Sequence, residues 1–179
     1  MRRTAEEALF GQLMEAHHYL RYTQPVGEHL KYLVFAGADP IAALAWSSAP
    51  RHLAARDRFI GWPGEVRRRH LHWIAYNTRF LILPWVRVRY LASHLLGRVA
   101  RRISKDWQAL YAHRIHLLET FIDPARFRGS CYRAANWTCL GLTTGRGHNA
   151  PTGQRHQPRK ELWVYPLSED FRRHLNPAA

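Results

Sequence analysis

Arginines and aromatic residues interleave along this chain in a way that suits a polyanion. Arg67-Arg68-Arg69, Arg87, Arg89, Arg98, Arg101, Arg102, Arg126, Arg128, Arg133 and Arg146 recur between Trp62, Trp73, Trp85, Trp137 and Trp163, and Arg58 and Arg79 belong to the same set. A guanidinium grips phosphate with two parallel hydrogen bonds, and an aromatic face stacks on a base. Tryptophans are mostly core residues, and Trp73 and Trp85 read as such. The functional weight falls on Arg126-Phe127-Arg128-Gly129 and on Arg133-Ala134-Ala135-Asn136-Trp137. Gly129 inside a short helix costs about 1 kcal/mol against alanine, and such a glycine often permits close backbone approach. Thr143-Thr144-Gly145-Arg146-Gly147-His148 is a second candidate, a phosphate-grade charge between two glycines.

Other chemistries have fewer residues behind them. His70 and His72 are two apart, which on a helix turns their rings about 200° from each other, so they do not share a metal there. The chain has 13 acids, and of these Asp57, Glu119 and Asp123 sit in the distinctive blocks quoted below. A nuclease needs two or more acids clustered on a cation. Ser93 and His94 face different sides of a helix, and no Gly-x-Ser-x-Gly elbow is present. No metal is expected.

Charge narrows the class. Lys+Arg total 27 against 13 Asp+Glu, a net charge of +14, and only Lys31, Lys105 and Lys160 are lysines. Self-repulsion opposes compaction, and a polyanion relieves it while releasing counterions. Nucleic acid is the leading partner, with DNA favoured. An acidic protein partner is the third alternative, after an enzyme. No membrane is expected: no apolar run approaches the roughly 18 residues of a span, and Met1-Arg2-Arg3 is followed by Glu6-Glu7 rather than by an apolar stretch. Two cysteines, Cys131 and Cys139, build neither a zinc site nor a disulfide framework. A reducing cytoplasm is the default.

The elements that must hold these residues follow from periodicity and turn chemistry. Thr4 to Leu20 reads as a helix with capping-box spacing. Leu30–Ala36 and Ile41–Ser47 read as an antiparallel hairpin about Gly37-Ala38-Asp39-Pro40. Pro50 to Pro63 reads as a helical turn, then a short strand or loop. Pro63 to about Tyr76 reads as a helix, Phe80–Val88 as a strand, and Tyr90 to about Tyr111 as one long helix. Ile115–Ile122 reads as a strand, Ala125–Trp137 as a short helix, and Thr138–Thr143 and Glu161–Leu167 as the last strands. The expectation is a single mixed α/β (α+β) domain over residues 1–167 with a mobile tail over 168–179.

This order, strand, long helix, strand, short helix, strand, strand, is similar to Gcn5-related acyltransferases, in which a central parallel pair splays apart to admit a pantetheine thioester. A more specific resemblance rests on ordered blocks. They are Gly27-Glu28-His29-Leu30-Lys31-Tyr32-Leu33-Val34, Arg56-Asp57-Arg58-Phe59-Ile60-Gly61-Trp62, Asn77-Thr78-Arg79-Phe80-Leu81-Ile82-Leu83-Pro84-Trp85-Val86 and Leu91-Ala92-Ser93-His94-Leu95-Leu96-Gly97. Glu119 to Asp123, Arg126 to Gly129, Tyr132 to Trp137, Gly145-Arg146-Gly147 and Val164-Tyr165-Pro166-Leu167 continue the series. Over His17 to Leu167 the chain resembles the Druantia anti-phage family, a domain also found beside or fused to transposases. Fuller members carry more sequence before the equivalent of His17, so this chain reads as a truncated, fused or minimal version.

The family resemblance implies an anti-phage or transposon-associated setting, with other defence or transposase proteins as partners. The fold resemblance implies an enzyme alternative: a group (acyl or aminoacyl) transferase acting on a nucleobase, a transfer RNA or another amine. In it Glu119 would be the base and Tyr132 the acid. Acyl-coenzyme A is only weakly supported. The fold's phosphate loop runs Arg or Gln, two residues, Gly, one residue, Gly or Ala, whereas Val86-Arg87-Val88-Arg89-Tyr90-Leu91-Ala92-Ser93 has no glycine. The leading expectation is a DNA-binding component that uses Arg58, Arg79, Arg87, Arg89, Arg128, Arg133, Asn136, Trp137 and Arg146.

Overall fold

The computed structural model describes residues 4–145 and 158–177. Six strands form one mixed sheet in the order β1-β2-β3-β4-β6-β5. The strands are β1 (His29–Ala36), β2 (Asp39–Ser48), β3 (Ile74–Ile82), β4 (Leu117–Ile122), β5 (Thr138–Leu142) and β6 (Glu161–Pro166). The helices are α1 (Glu6–His17), α2 (Ala54–Ile60), α3 (Gly64–His70), α4 (Leu91–Ala100), α5 (Ile103–Tyr111), α6 (Ser130–Ala134) and α7 (Phe171–Leu175). The β1–β2 hairpin forms where Gly37, at φ 63°, lets the chain turn.

Each sheet face buries its own cluster, because side chains alternate along a strand. On one face Leu44, Trp46, Ala75, Leu118 and Ile122 pack with α4, α5 and α6 through Leu96, Val99, Trp107 and Tyr132. On the other face α1 sets Phe10, Leu13 and Met14 against Ala43, Ala45, Leu81 and Leu83. Beside it Ile60, Trp62, Phe171 and Leu175 pack against Ile74, Leu117 and Val164.

Four expectations are corrected. The helix expected to reach Tyr76 stops at His70 and, after a 3-10 turn at Leu71–Trp73, the chain enters β3 at Ile74. Ile74 and Ala75 are fully buried and β3 pairs with β2, so sheet burial overrides helical propensity there. The strand expected over Phe80–Val88 ends at Ile82, because Pro84 brings no N–H to a ladder. The long helix is two helices broken at Arg101-Arg102, each burying its own anchors: Leu95, Leu96 and Val99 in α4, Ile103 and Trp107 in α5. Residues 168–179, expected as a tail, contain α7, whose Phe171 and Leu175 lie four apart and are buried together.

The parallel pair matters most. β3 and β4 are joined only from Ile74↔Leu117 to Asn77↔Thr120. Beyond that β3 continues to Ile82 beside β2, and β4 continues to Ile122 beside β6. The two strands part, and a cleft opens between them.

Candidate functional site

The cleft measures about 440 Å³. Its walls are β3 from Tyr76 to Ile82, β4 from Thr120 to Ile122 with Asp123 after it, the segment Phe127 to Tyr132 and the segment His17 to Leu20, with Lys160 beside them. Tyr76 and Phe121 meet edge to face from one side of the sheet, with ring centroids 5.2 Å apart. From the other side Asn77, Thr120 and Tyr132 line the floor. Asn77 is buried and fixed: its Nδ2 donates to the Ala45 and Arg79 carbonyls at 2.9 Å each, and its Oδ1 accepts from the Tyr132 hydroxyl at 2.8 Å.

The segment after α1 is held across this opening. Arg79 donates through Nε to the Arg21 carbonyl at 2.6 Å and through Nη2 to the Leu20 carbonyl at 3.4 Å. Within it His18 Nδ1 accepts the Leu20 N–H at 3.2 Å, which leaves the ring proton on Nε2. Burial, with the nearby Arg79 charge, lowers the His18 pKa to about 4, so the ring is neutral at physiological pH. Tyr19 stacks beside His18 at 5.0 Å and leans on Phe127 at 5.4 Å, with the Arg126 guanidinium 5.0 Å from its ring.

The two candidate acid–base residues are not brought together. Tyr132 lines the cleft, buried, with its phenol pushed up by desolvation. Glu119 points to the opposite sheet face, the face of Leu117, and does not line the cleft. Its carboxylate is fully buried and receives Arg56 Nη1 at 3.2 and 3.3 Å. Burial pushes its carboxyl up to about 6, against the pull of Arg56. The acid that does line the cleft, Asp123, lies 3.7 Å from Arg126.

The arginines divide. Arg79 and Arg128 are at the cleft. Arg87 and Arg89 are exposed on the β3–α4 loop beyond Ile82, and Arg58 is exposed on α2. Arg133 lies on the outer side of α6 with its guanidinium 5.7 Å from the Trp163 ring, and exposed Asn136 ends that helix at φ 62°. Arg146 lies outside the described residues. Trp137 and Trp85 exchange the environments expected of them. Trp137 is 4% exposed and packs among Trp46, Tyr132 and Tyr165, so it offers no face to a base. Trp85, expected in the core, is 57% exposed and touches His17 edge on at 5.3 Å. Gly129 serves packing. At φ 64° it sits where a Cβ would come 3.0 Å from Trp163 and 3.1 Å from Ile122. His17 to Tyr19 and Lys160 carry no motif; their place at the cleft comes from the fold.

Among the described residues no three histidine, cysteine or acidic side chains are placed to hold a metal. His70 bonds the Leu175 carbonyl through Nδ1 at 2.9 Å and stacks on Trp73. No helix of the described residues is long and apolar enough to cross a membrane.

A parted parallel pair in a mixed sheet defines the acyltransferase-type fold, and solved structures agree. The ribosomal-protein-S18-alanine N-acetyltransferase from Escherichia coli is similar with a TM-score of 0.56 and 10% identity over 94% of this chain and 91% of that one. A spermidine N-acetyltransferase chimera from Vibrio cholerae and hSSAT gives 0.53 and 12% over 92% and 91%. AAC(6')-Ib in complex with ribostamycin and coenzyme A gives 0.51 and 13%; 77% of this chain spans 64% of that one. At these identities the likeness is one of fold. The chain belongs to the Druantia protein DruA family, whose model matches residues 1–150. Membership associates it with anti-phage defence. No curated protein matches it in sequence.

The glycine loop with which this fold usually holds acyl-coenzyme A is missing here. The cofactor's pyrophosphate needs close backbone approach at the start of α4. Tyr90 stands there with a left-handed backbone at φ 58° and its side chain 81% exposed, and no glycine opens the turn. The cleft also lacks the Glu119 carboxylate.

Proposed function

We propose that this protein is a nucleic-acid-binding component of an anti-phage system, gripping a single strand at the β3–α4 loop. One observation carries the reading. Within one loop Trp85, Val88 and Tyr90 are 57%, 63% and 81% exposed, and the exposed Arg87 and Arg89 between them bond to nothing among the described residues. A hydrophobic aromatic costs free energy in water unless something covers it. Two cations flanked by the aromatics Trp85 and Tyr90 suit a strand that presents both phosphates and bases. The net charge of +14 supplies the long-range attraction. DNA is favoured by the defence setting. The competing group-transfer reading has the cleft and Tyr132 in its favour, but its expected base, Glu119, lies outside the cleft, and Asp123, the carboxylate that lines it, is engaged by Arg126.

The test is fluorescence anisotropy with labelled single-stranded DNA, duplex DNA and RNA from about 50 to about 300 mM salt. Single-stranded DNA should bind tightest, with affinity falling steeply as salt rises. Arg87→Ala and Arg89→Ala should each flatten the salt slope by about one counterion. Tyr90→Ala should cost roughly 5- to 100-fold at every salt. Absence of salt-sensitive binding to all three polymers would end this reading and turn attention to an acidic protein partner.

A further inference from the structure

We infer that the cleft between β3 and β4 seats one nucleotide of the bound strand, its base against an aromatic wall and its phosphate on cations at the mouth. This rests on the nucleic-acid reading above and adds to it a base-sized pocket away from the loop.

The lining has the chemistry of a ring carrying an anion. Tyr19, Tyr76, Phe80, Phe121, Phe127 and Tyr132 contribute to the walls. Tyr19 and Phe127 form the outer pair, each nearly half-exposed at 44% and 48%, so the core does not account for their position. A planar base entering there would cover both. Arg128 and Lys160 also line the cleft, and neither side chain has a carboxylate or hydrogen-bond partner among the described residues. Asp123, a carboxylate of the same lining, faces Arg126. Two uncommitted cations beside an aromatic wall call for a ligand that is flat and negatively charged.

Polar atoms deeper in the cleft can address a base edge. His18 presents a neutral ring whose Nε2–H is a donor, since Nδ1 is taken by the Leu20 N–H. The Tyr132 hydroxyl gives its proton to Asn77 Oδ1 and has the Thr120 hydroxyl beside it, so the phenol is fixed at the cleft floor. The Arg79 bonds to the Leu20 and Arg21 carbonyls hold the His18 wall in place without a ligand. Size agrees: at about 440 Å³ the cleft is near the small end of the roughly 300–1,000 Å³ typical of small-ligand sites. A single nucleotide enters; a polymer does not. The cleft and the loop adjoin, because His17 of the cleft wall touches Trp85 of the loop. A strand held at Arg87 and Arg89 therefore passes the mouth, and one unstacked base turns inward.

The test scans a single abasic site along a labelled single-stranded oligonucleotide and repeats the scan with Ser130→Trp. Ser130 lines the cleft and is exposed, with no side-chain bond among the described residues, so an indole there fills the opening without disturbing the core. For the wild type, loss of the base at one position should weaken binding by roughly 5- to 100-fold, the range for one base–aromatic stack, while other positions change little. Ser130→Trp should erase that position dependence and keep the salt slope. Phe127→Ala should weaken binding only when the sensitive base is present, and 2-aminopurine at that position should change its fluorescence on binding. A flat scan with salt-steep binding intact would overturn the pocket and leave the loop reading standing. No binding at any position would sink both. Protection of the cleft by coenzyme A, sensitive to Ser130→Trp while oligonucleotides are not, would also overturn it in favour of the fold's usual ligand.

Discussion

Arg56 and Arg89 place the same guanidinium in opposite surroundings. Arg56 is fully buried beneath β4. It donates to both Glu119 oxygens, to the Pro50 carbonyl at 2.8 Å, to the Arg51 carbonyl at 3.3 Å and to Asp57 Oδ1 at 3.2 Å through Nε and Nη2. Asp57 in turn receives Trp62 Nε1 at 3.0 Å and Arg67 Nη1 at 2.9 Å. Arg89, with Arg87, stands in solvent and bonds to nothing among the described residues. The difference separates charge that the fold uses from charge that the proposed strand binding would use. It also gives the block Arg56-Asp57-Arg58-Phe59-Ile60-Gly61-Trp62 a structural meaning. Arg56, Asp57 and Trp62 lock α2 to the sheet, and Gly61 at φ 83° ends the helix so that Trp62 can turn back to Asp57.

The sharpest way to break this comparison is to remove the buried partner. Arg56→Ala leaves the Glu119 carboxylate desolvated and unmatched, and should cost about 3–5 kcal/mol of stability in urea unfolding. Replacing both partners, Arg56→Met with Glu119→Leu, should recover much of that loss, because apolar packing substitutes for a buried pair more readily than a lone charge is tolerated. A loss below about 1 kcal/mol for Arg56→Ala would place the network among ordinary surface pairs.

A smaller effect distinguishes two desolvated groups of the fold by pH. Burial lowers the His116 pKa from 6.5 to about 4, helped by His174 stacked 4.3 Å away and by Arg114. The folded state then binds fewer protons than the unfolded chain. The stability this group contributes is full above pH 6.5 and is lost as pH falls toward 4. Glu119 has the opposite sign. Its carboxyl rises from 4.5 to about 6, so its contribution is full below 4.5 and is lost as pH rises through 6. His116→Gln removes the first of these opposing slopes. The variant's melting temperature should fall less than the wild type's between pH 6.5 and 4; parallel curves would show that His116 is not a titrating contributor.

Local pattern makes much of this molecule legible. The hairpin about Gly37, the β4 run Leu117 to Ile122 and the cationic excess are all visible in composition, alternation and turn residues. What stays hidden depends on distant neighbours. β3 carries Asn77, Thr78 and Arg79 in its middle, which reads as a break until β2 and β4 pair with it on either side. Glu119 reads as a free acid because Arg56 is 63 residues away in sequence. Trp137 and Trp85 trade environments between sequence and fold, since one indole resembles another until the sheet decides which of them it covers. The cleft itself follows from where two strands stop pairing, a feature no motif encodes.

The smallest expected stability effect is the one that completes the comparison. Arg87→Ala and Arg89→Ala remove side chains that contribute no bond to the described fold, so each should change unfolding free energy by no more than about 0.5 kcal/mol. These are the variants expected to weaken strand binding and flatten its salt dependence. A residue neutral in urea and costly in anisotropy serves the ligand; Arg56→Ala should show the reverse, a large loss in urea with unchanged salt slope for whatever fraction remains folded. If Arg87→Ala or Arg89→Ala instead destabilised the fold by several kcal/mol, the loop would be holding the structure together. Its exposed aromatics would then need a structural explanation in place of a ligand.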